Sequence, residues 1–185
     1  MPDTNITKSA LASSMKRLMR EKPFAKISII DICDGCGMNR KSFYYHFKDK
    51  YDLVYWIFYS DFISLVSNTS HEDGWDLLIS VGKLFYEDQE FYRAALKVEG
   101  QNSFREYFVE SMTPLVTYFL QDICDVEEDG EDSVGLLISI LCDAYLNAIL
   151  RWLENGCSIT PEEQVTSIKK IIMKMARRLN ELEEK

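Results

Sequence analysis

Apolar side chains recur at three-and-four spacing along almost all of this 185-residue chain, and no stretch sustains a period of two. That pattern suits helices and leaves no place for a sheet, and eight glycines and four prolines give helices few places to stop. An all-α protein of one or two compact domains is expected, and with 46% apolar residues it can bury a sizeable core. A first helix from about Thr7 to Arg20 should bury Ala10, Leu11, Met15, Leu18 and Met19 and turn Lys8, Lys16 and Arg17 to water, with Pro23 marking its end. Ser28 is placed to cap a short helix carrying Ile29, Ile30, Ile32 and Cys33 on its apolar side. Asn39 caps another through Phe47, and Asp49 a long amphipathic one. Helices of roughly 73–88, 89–98, 103–123, 131–155 and 161–183 follow, the last opened by Thr160, Pro161 and Glu163 as a capping box. Pro114, which lacks an amide donor and crowds the preceding turn, predicts a kink or break within one of them.

Charge is unevenly distributed. Residues 1–50 carry ten basic and five acidic side chains, and the remainder eleven and twenty-five. The net charge of -9 would repel nucleic acid if spread evenly, but the N-terminal segment by itself is basic. Five cysteines, at 33, 36, 124, 142 and 157, make no disulfide framework, and reduced thiols are expected. The most apolar stretch, Val134–Leu153, is interrupted by Asp143, Asn147 and Arg151, and the polar N-terminus lacks an apolar leader, so a cytoplasmic protein without a membrane span is expected.

The informative stretch is Ser28 to Leu53. Two short helices joined by a few residues containing glycine fit a helix-turn-helix, in which the first helix braces the second for entry into the major groove of duplex DNA. Gly37 supplies the positive φ of a tight turn, and Phe43 and Phe47, four apart, give the second helix a buried stripe. Its other surface then presents Arg40, Lys41, Ser42, Tyr44 and Tyr45. Arg and Lys bond guanine edges, hydroxyls bond bases or phosphates, and tyrosine joins an apolar face for thymine methyls to a hydroxyl that reaches phosphate. His46, Lys48 and Lys50 extend the basic character to the next helix, where amides and a lysine would clamp a phosphate.

Other motifs weigh less. Cys33-Asp34-Gly35-Cys36 has neither a second cysteine pair nor a nearby histidine, which favours core packing over metal or redox work, and no metal or cofactor is expected. Gly35-Cys36-Gly37 opens like a dinucleotide fingerprint, but Arg40 stands where the third glycine belongs and no strand precedes it. With no nucleophile–base pair or carboxylate pair in evidence, an enzyme is not expected.

Ser28, Ile32-Cys33, Cys36-Gly37-Met38 and the dense string Tyr44-Tyr45-His46-Phe47-Lys48-Asp49-Lys50 resemble the N-terminal signature of the TetR family of bacterial transcription regulators. Phe91-Tyr92 and Gly100-Gln101-Asn102-Ser103-Phe104 resemble a low-GC Gram-positive branch that includes regulators of dihydroxyacetone kinase operons. Cysteines at 33 and 36 and Lys41 depart from the usual small residues. The resemblance implies a DNA-binding domain over 1–50 and a helical ligand-binding and dimerisation domain over 51–185. Base contacts would fall on Arg40, Lys41 and Tyr44, and phosphate contacts on Ser28, Ser42, Tyr45, His46 and Lys50. The last two helices would pack on their counterparts in a second subunit through Leu137, Leu141, Tyr145 and Trp152 and through Ile168, Ile172, Met175 and Leu179, at spacing suited to a bundle. A two-fold dimer sets two recognition helices about 34–36 Å apart, so a roughly palindromic operator is implied. Trp75, Tyr86, Tyr92, Arg93, Tyr107, Tyr118 and Tyr145 would line an effector pocket, with ordinary core packing as the alternative for each aromatic residue and a surface or paired charge for Arg93. The implied function is a homodimeric repressor released by a small molecule; the alternative is a co-activator or adaptor acting through a protein partner.

Overall fold

A computed structural model describes residues 2–68, 73–98, 104–120 and 130–183, and these form nine α-helices and one 3-10 turn, with no strand among them. The helices are α1 (Pro2–Glu21), α2 (Ile29–Asp34), α3 (Arg40–His46), α4 (Lys50–Asn68), α5 (Gly74–Glu87), α6 (Gln89–Ala95), α7 (Phe104–Leu120), α8 (Glu131–Glu154) and α9 (Pro161–Glu183), with the 3-10 turn at Phe24–Lys26. Residues 100–103 and the acidic stretch 125–129 lie outside the described residues, as does the side chain of Leu179.

The elements follow from local chemistry. Ser28 accepts from the Asp31 amide while its own amide donates to the Asp31 carboxylate, a reciprocal capping box that opens α2. Asn39 and Asp73 cap α3 and α5 by accepting backbone amides through their side-chain oxygens, and Thr160 with Glu163 forms a second reciprocal box at α9. α1 starts five residues earlier than expected and buries Leu11, Met15, Leu18 and Met19, with Ala10 only half-buried. α7 runs through Pro114 without the break expected there, and the hydroxyls of Ser111, Thr113 and Thr117 donate back to carbonyls four residues earlier.

The first three helices pack on one another, and α1 also packs on α4 and α6, so the N-terminal head is seated on the rest of the chain. Inside the body an aromatic cluster fills the centre. Phe58 of α4, Phe85 of α5, Tyr92 of α6 and Phe104 and Phe108 of α7 are all buried, with ring centroids 4.5–6.5 Å apart. α8 lies against α7, α5 and α6, and α9 against α5. By length and composition α8 could cross a membrane, but Asp143 within it is ion-paired to Arg105 of α7 at 2.8 Å.

Candidate nucleic-acid interface

α2 closes in a Schellman motif: the Met38 amide donates to the Cys33 carbonyl (2.9 Å) and that of Gly37 to Asp34 (3.3 Å). The motif needs a left-handed residue, and Gly37 supplies it with φ +69°. The chain thus turns sharply into α3, which Asn39 opens by accepting from the Ser42 amide at 2.9 Å. Phe43 and Phe47 then sink into the core beside Ile32 and Cys33, and Phe47 meets Trp56 of α4 at 5.8 Å. That register leaves Arg40, Lys41, Tyr44 and Tyr45 exposed, Tyr45 by 80%, with Ser42 and His46 half-exposed. The Arg40 guanidinium lies over the Tyr44 ring at 5.9 Å and the Tyr45 ring meets His46 edge-on at 4.9 Å, so the polar side chains stand as an ordered group. Ile30, expected on the apolar side of α2, is exposed instead, because Ile32 and Cys33 take the inner face.

Two of the expected phosphate contacts are otherwise engaged. The Ser28 hydroxyl and amide both donate to the Asp31 carboxylate, at 2.7 Å each, which leaves neither donor for a phosphate. Lys22 joins the same carboxylate at 3.0 Å, and these bonds hold Asp31 down to about 2. The Lys50 ammonium turns inward and donates to the carbonyls of Phe24 (2.8 Å), Ile27 (2.9 Å) and Ala25 (3.3 Å); burial pushes its pKa below the ordinary value. Cys33 and Cys36 are packing thiols, their pKa values raised by burial, and the Cys36 thiol lies against the Ile32 and Cys33 carbonyls.

The basic charge of the head is also not all available to a ligand. Lys8, expected in water, lies over the rings of Phe47 and Trp56 at 5.7 and 5.5 Å. Lys16 pairs with Asp61 of α4 (3.0 Å) and with Asp88 (3.2 Å), and Arg20 pairs with Asp88 (2.8 Å) and Glu90 (3.5 Å). The buried Tyr92 hydroxyl donates to the same Asp61 at 3.1 Å. This polar seam between head and body escaped the sequence reading. Its one visible signal was Asp61, an acid set among the apolar residues of α4.

The residues assigned to an effector pocket do not converge. Tyr92 belongs to the aromatic core, Tyr107 meets Tyr55 at a tilt with ring centroids 4.0 Å apart, and Tyr86 stacks on Trp152 at 5.8 Å. The Tyr145 hydroxyl donates to the Leu78 carbonyl (2.6 Å), Trp75 lies under the Lys169 ammonium and Tyr118 is exposed. Among the described residues, Arg93 borders an open cleft of about 420 Å³ at the seam, beside Arg20, Glu87, Asp88, Gln89 and Glu90.

Of the expected dimer contacts, Leu137, Leu141, Ile172 and Met175 are exposed and Ile168 half-buried, and Leu136, Ile140, Ile171 and Met173 are exposed beside them in sequence. Trp152 and Tyr145 are engaged within their own subunit. Trp152 is buried and donates through its indole N–H to the Ile159 carbonyl (3.0 Å), and Tyr145 is tied to α5. In the C-terminal half of α8, Leu146, Ile149, Trp152 and Leu153 are buried within the subunit, while Ala144 is exposed and Ala148 and Leu150 are half-buried.

A model of bacterial regulatory proteins of the tetR family matches residues 14–55, and one described as a transcriptional regulator C-terminal region matches residues 74–174. The chain belongs to the tetR family. The HTH-type dhaKLM operon transcriptional activator DhaS of Lactococcus lactis subsp. lactis (strain IL1403) is 29% identical over 110 residues, 59% of this chain and 58% of that protein, so the match spans little more than half of the relative. Among solved structures, Dihydroxyacetone kinase operon activator DhaS superposes with a TM-score of 0.67 at 22% identity, covering 92% of this chain and 96% of that one. NalD, the secondary repressor of the MexAB-OprM multidrug efflux pump in Pseudomonas aeruginosa, gives 0.64 at 14% identity over 94% and 97%. The all-helical fold is that of family regulators of transcription, and the resemblance to the branch with dihydroxyacetone kinase operon regulators holds.

Proposed function

We propose that this chain acts in the cytoplasm as a homodimeric, sequence-specific DNA-binding regulator, its α3 helix lying in the major groove of a roughly palindromic operator. The head, residues 1–50, binds DNA, and the body, residues 51–185, pairs the subunits and receives the signal. Arg40, Lys41 and Tyr44 contact bases, and Ser42, Tyr45 and His46 contact phosphates. The observation that carries this reading is the register of α3: Phe43 and Phe47 are buried while Arg40, Lys41, Tyr44 and Tyr45 point outward from a helix held by its cap and its turn. The exposed aliphatic side chains of α8 and α9 support pairing, because two such surfaces bury each other in a helical bundle.

Control by a small molecule would act through α4, the helix shared by head and body, with a coupling of about 1–3 kcal/mol that shifts the spacing or tilt of the two heads. Release of a repressor is the first form of that control. A second reading, activation through a protein partner, is favoured by the activator name of the 29% identical relative. The two forms part in a transcription assay on the selected promoter, where the purified protein alone lowers transcript in the first and raises it only with a partner in the second.

Selection of duplexes by the purified protein tests the core of the proposal, with a palindrome as the expected result. Arg40→Ala should cost about 1–3 kcal/mol on the selected site and much less on unrelated DNA. Equal loss on every sequence would remove Arg40 from base reading.

A further inference from the structure

We propose that Lys50 is a positioning residue for operator recognition: its ammonium fixes the segment that launches α2, and through it the pose of α3, and it bonds no phosphate. The proposal rests on the reading of α3 given above. Lys50 is the first residue of α4, and its three N–H groups meet the carbonyls of Phe24, Ala25 and Ile27 at 2.8–3.3 Å. An ammonium has three donors, so the set is used. Those carbonyls belong to the 3-10 turn and to the residue just before Ser28, the N-cap of α2, where the backbone has no helix to continue into. Bonds from a charged donor are about twice as strong as neutral ones, and this donor also lies 4.4 Å from the centre of the Phe24 ring, which meets Tyr51 edge-on at 5.0 Å.

α4 therefore grips the reading unit at two points. Lys50 holds the entry to α2, and Trp56 meets Phe47 at the exit from α3. Between them lie only the two short helices and the Gly37 turn. A lysine on a phosphate strengthens binding to every sequence alike, whereas a lysine that sets the pose of α3 matters only where side chains must meet particular base edges.

The test uses the full chain, Lys50→Met and Lys50→Arg, a duplex selected by the wild-type protein and an unrelated duplex, each titrated across salt concentrations. Arginine bonds phosphate at least as well as lysine, but its planar fork cannot reproduce three converging bonds to carbonyls. Both variants should lose roughly 10-fold or more in affinity for the selected duplex, keep their affinity for the unrelated one and keep its salt slope. In the free protein, amide hydrogen exchange at Ile27 to Ile32 should quicken. Wild-type binding by Lys50→Arg, or a Lys50→Met loss that is equal on both duplexes with the salt slope reduced by about one phosphate, would overturn the proposal. If Lys50→Met does not fold, as seen by circular dichroism, Lys50→Arg still decides. Should the wild type show no sequence preference, the reading of α3 fails instead, and unchanged exchange in the variants would then sink the anchoring itself.

Discussion

α3 is seven residues long and puts Phe43, and Phe47 at its C-cap, inside, so that what it shows to water is charged or carries a hydroxyl or imidazole. α8 is 24 residues long and buries Val134, Ile138 and Cys142 along its first half while leaving Leu136, Leu137, Ile140 and Leu141 exposed, and α9 does the same with Ile171, Ile172, Met173 and Met175. An exposed guanidinium is at rest in water, whereas a row of exposed aliphatic side chains is stabilised only when another apolar surface covers it. The head thus closes its apolar residues within one chain, whereas the body keeps an uncovered aliphatic face. Leu141→Asp is the most direct way to break that contrast. Because Leu141 is exposed, the variant should keep its helix content, sediment at half the wild-type mass and lose about 100-fold or more in operator affinity, since each head would hold one half-site alone. A variant that stays dimeric would remove the face from the subunit contact.

The same contrast explains what was legible in the sequence. Caps and turns are local, so Ser28, Gly37, Asn39 and Thr160 could be read directly, and the four-residue spacing of Phe43 and Phe47 fixed the register of α3. α8 is apolar on more than one side, and periodicity alone does not say which side meets its own subunit. Leu137 and Leu141 stay exposed, but Tyr145 and Trp152 further along are covered from within. Long-range ionic partners were invisible for a related reason. Lys16 and Arg20 add to the basic tally of residues 1–50, yet their partners Asp61, Asp88 and Glu90 lie 45 to 72 positions further on and come close only in the fold.

Gly35 tests how tightly the head is closed. A Cβ there would fall inside the space of the Ser14 hydroxyl and 2.6 Å from an Arg17 terminal nitrogen. Arg17 is half-exposed and can swing away, but Ser14 is buried and its hydroxyl donates to the Ile32 carbonyl at 2.8 Å, so moving it would break a buried hydrogen bond. Gly35→Ala should destabilise the protein by about 1–3 kcal/mol in denaturant titrations, despite the ordinary right-handed backbone of Gly35. Unchanged stability would mean that α1 and α2 separate easily.

The smallest effect is the most local. Asp31 accepts two hydrogen bonds from Ser28 and pairs with Lys22, all within the head, and these hold its carboxyl at about 2 against an ordinary 3.8. Since the folded value lies below the unfolded one, the contribution to stability is present above about pH 4 and is lost as the pH falls toward 2. Ser28→Ala leaves the backbone amide and the lysine in place, so an NMR titration of the Asp31 carboxyl carbon should show a pKa raised part of the way toward 3.8. The same titration in Leu141→Asp should match the wild type. If separating the bodies moves the Asp31 titration, then the capping box depends on pairing, and the head is not the self-sufficient unit that its buried phenylalanines and closed hydrogen bonds describe.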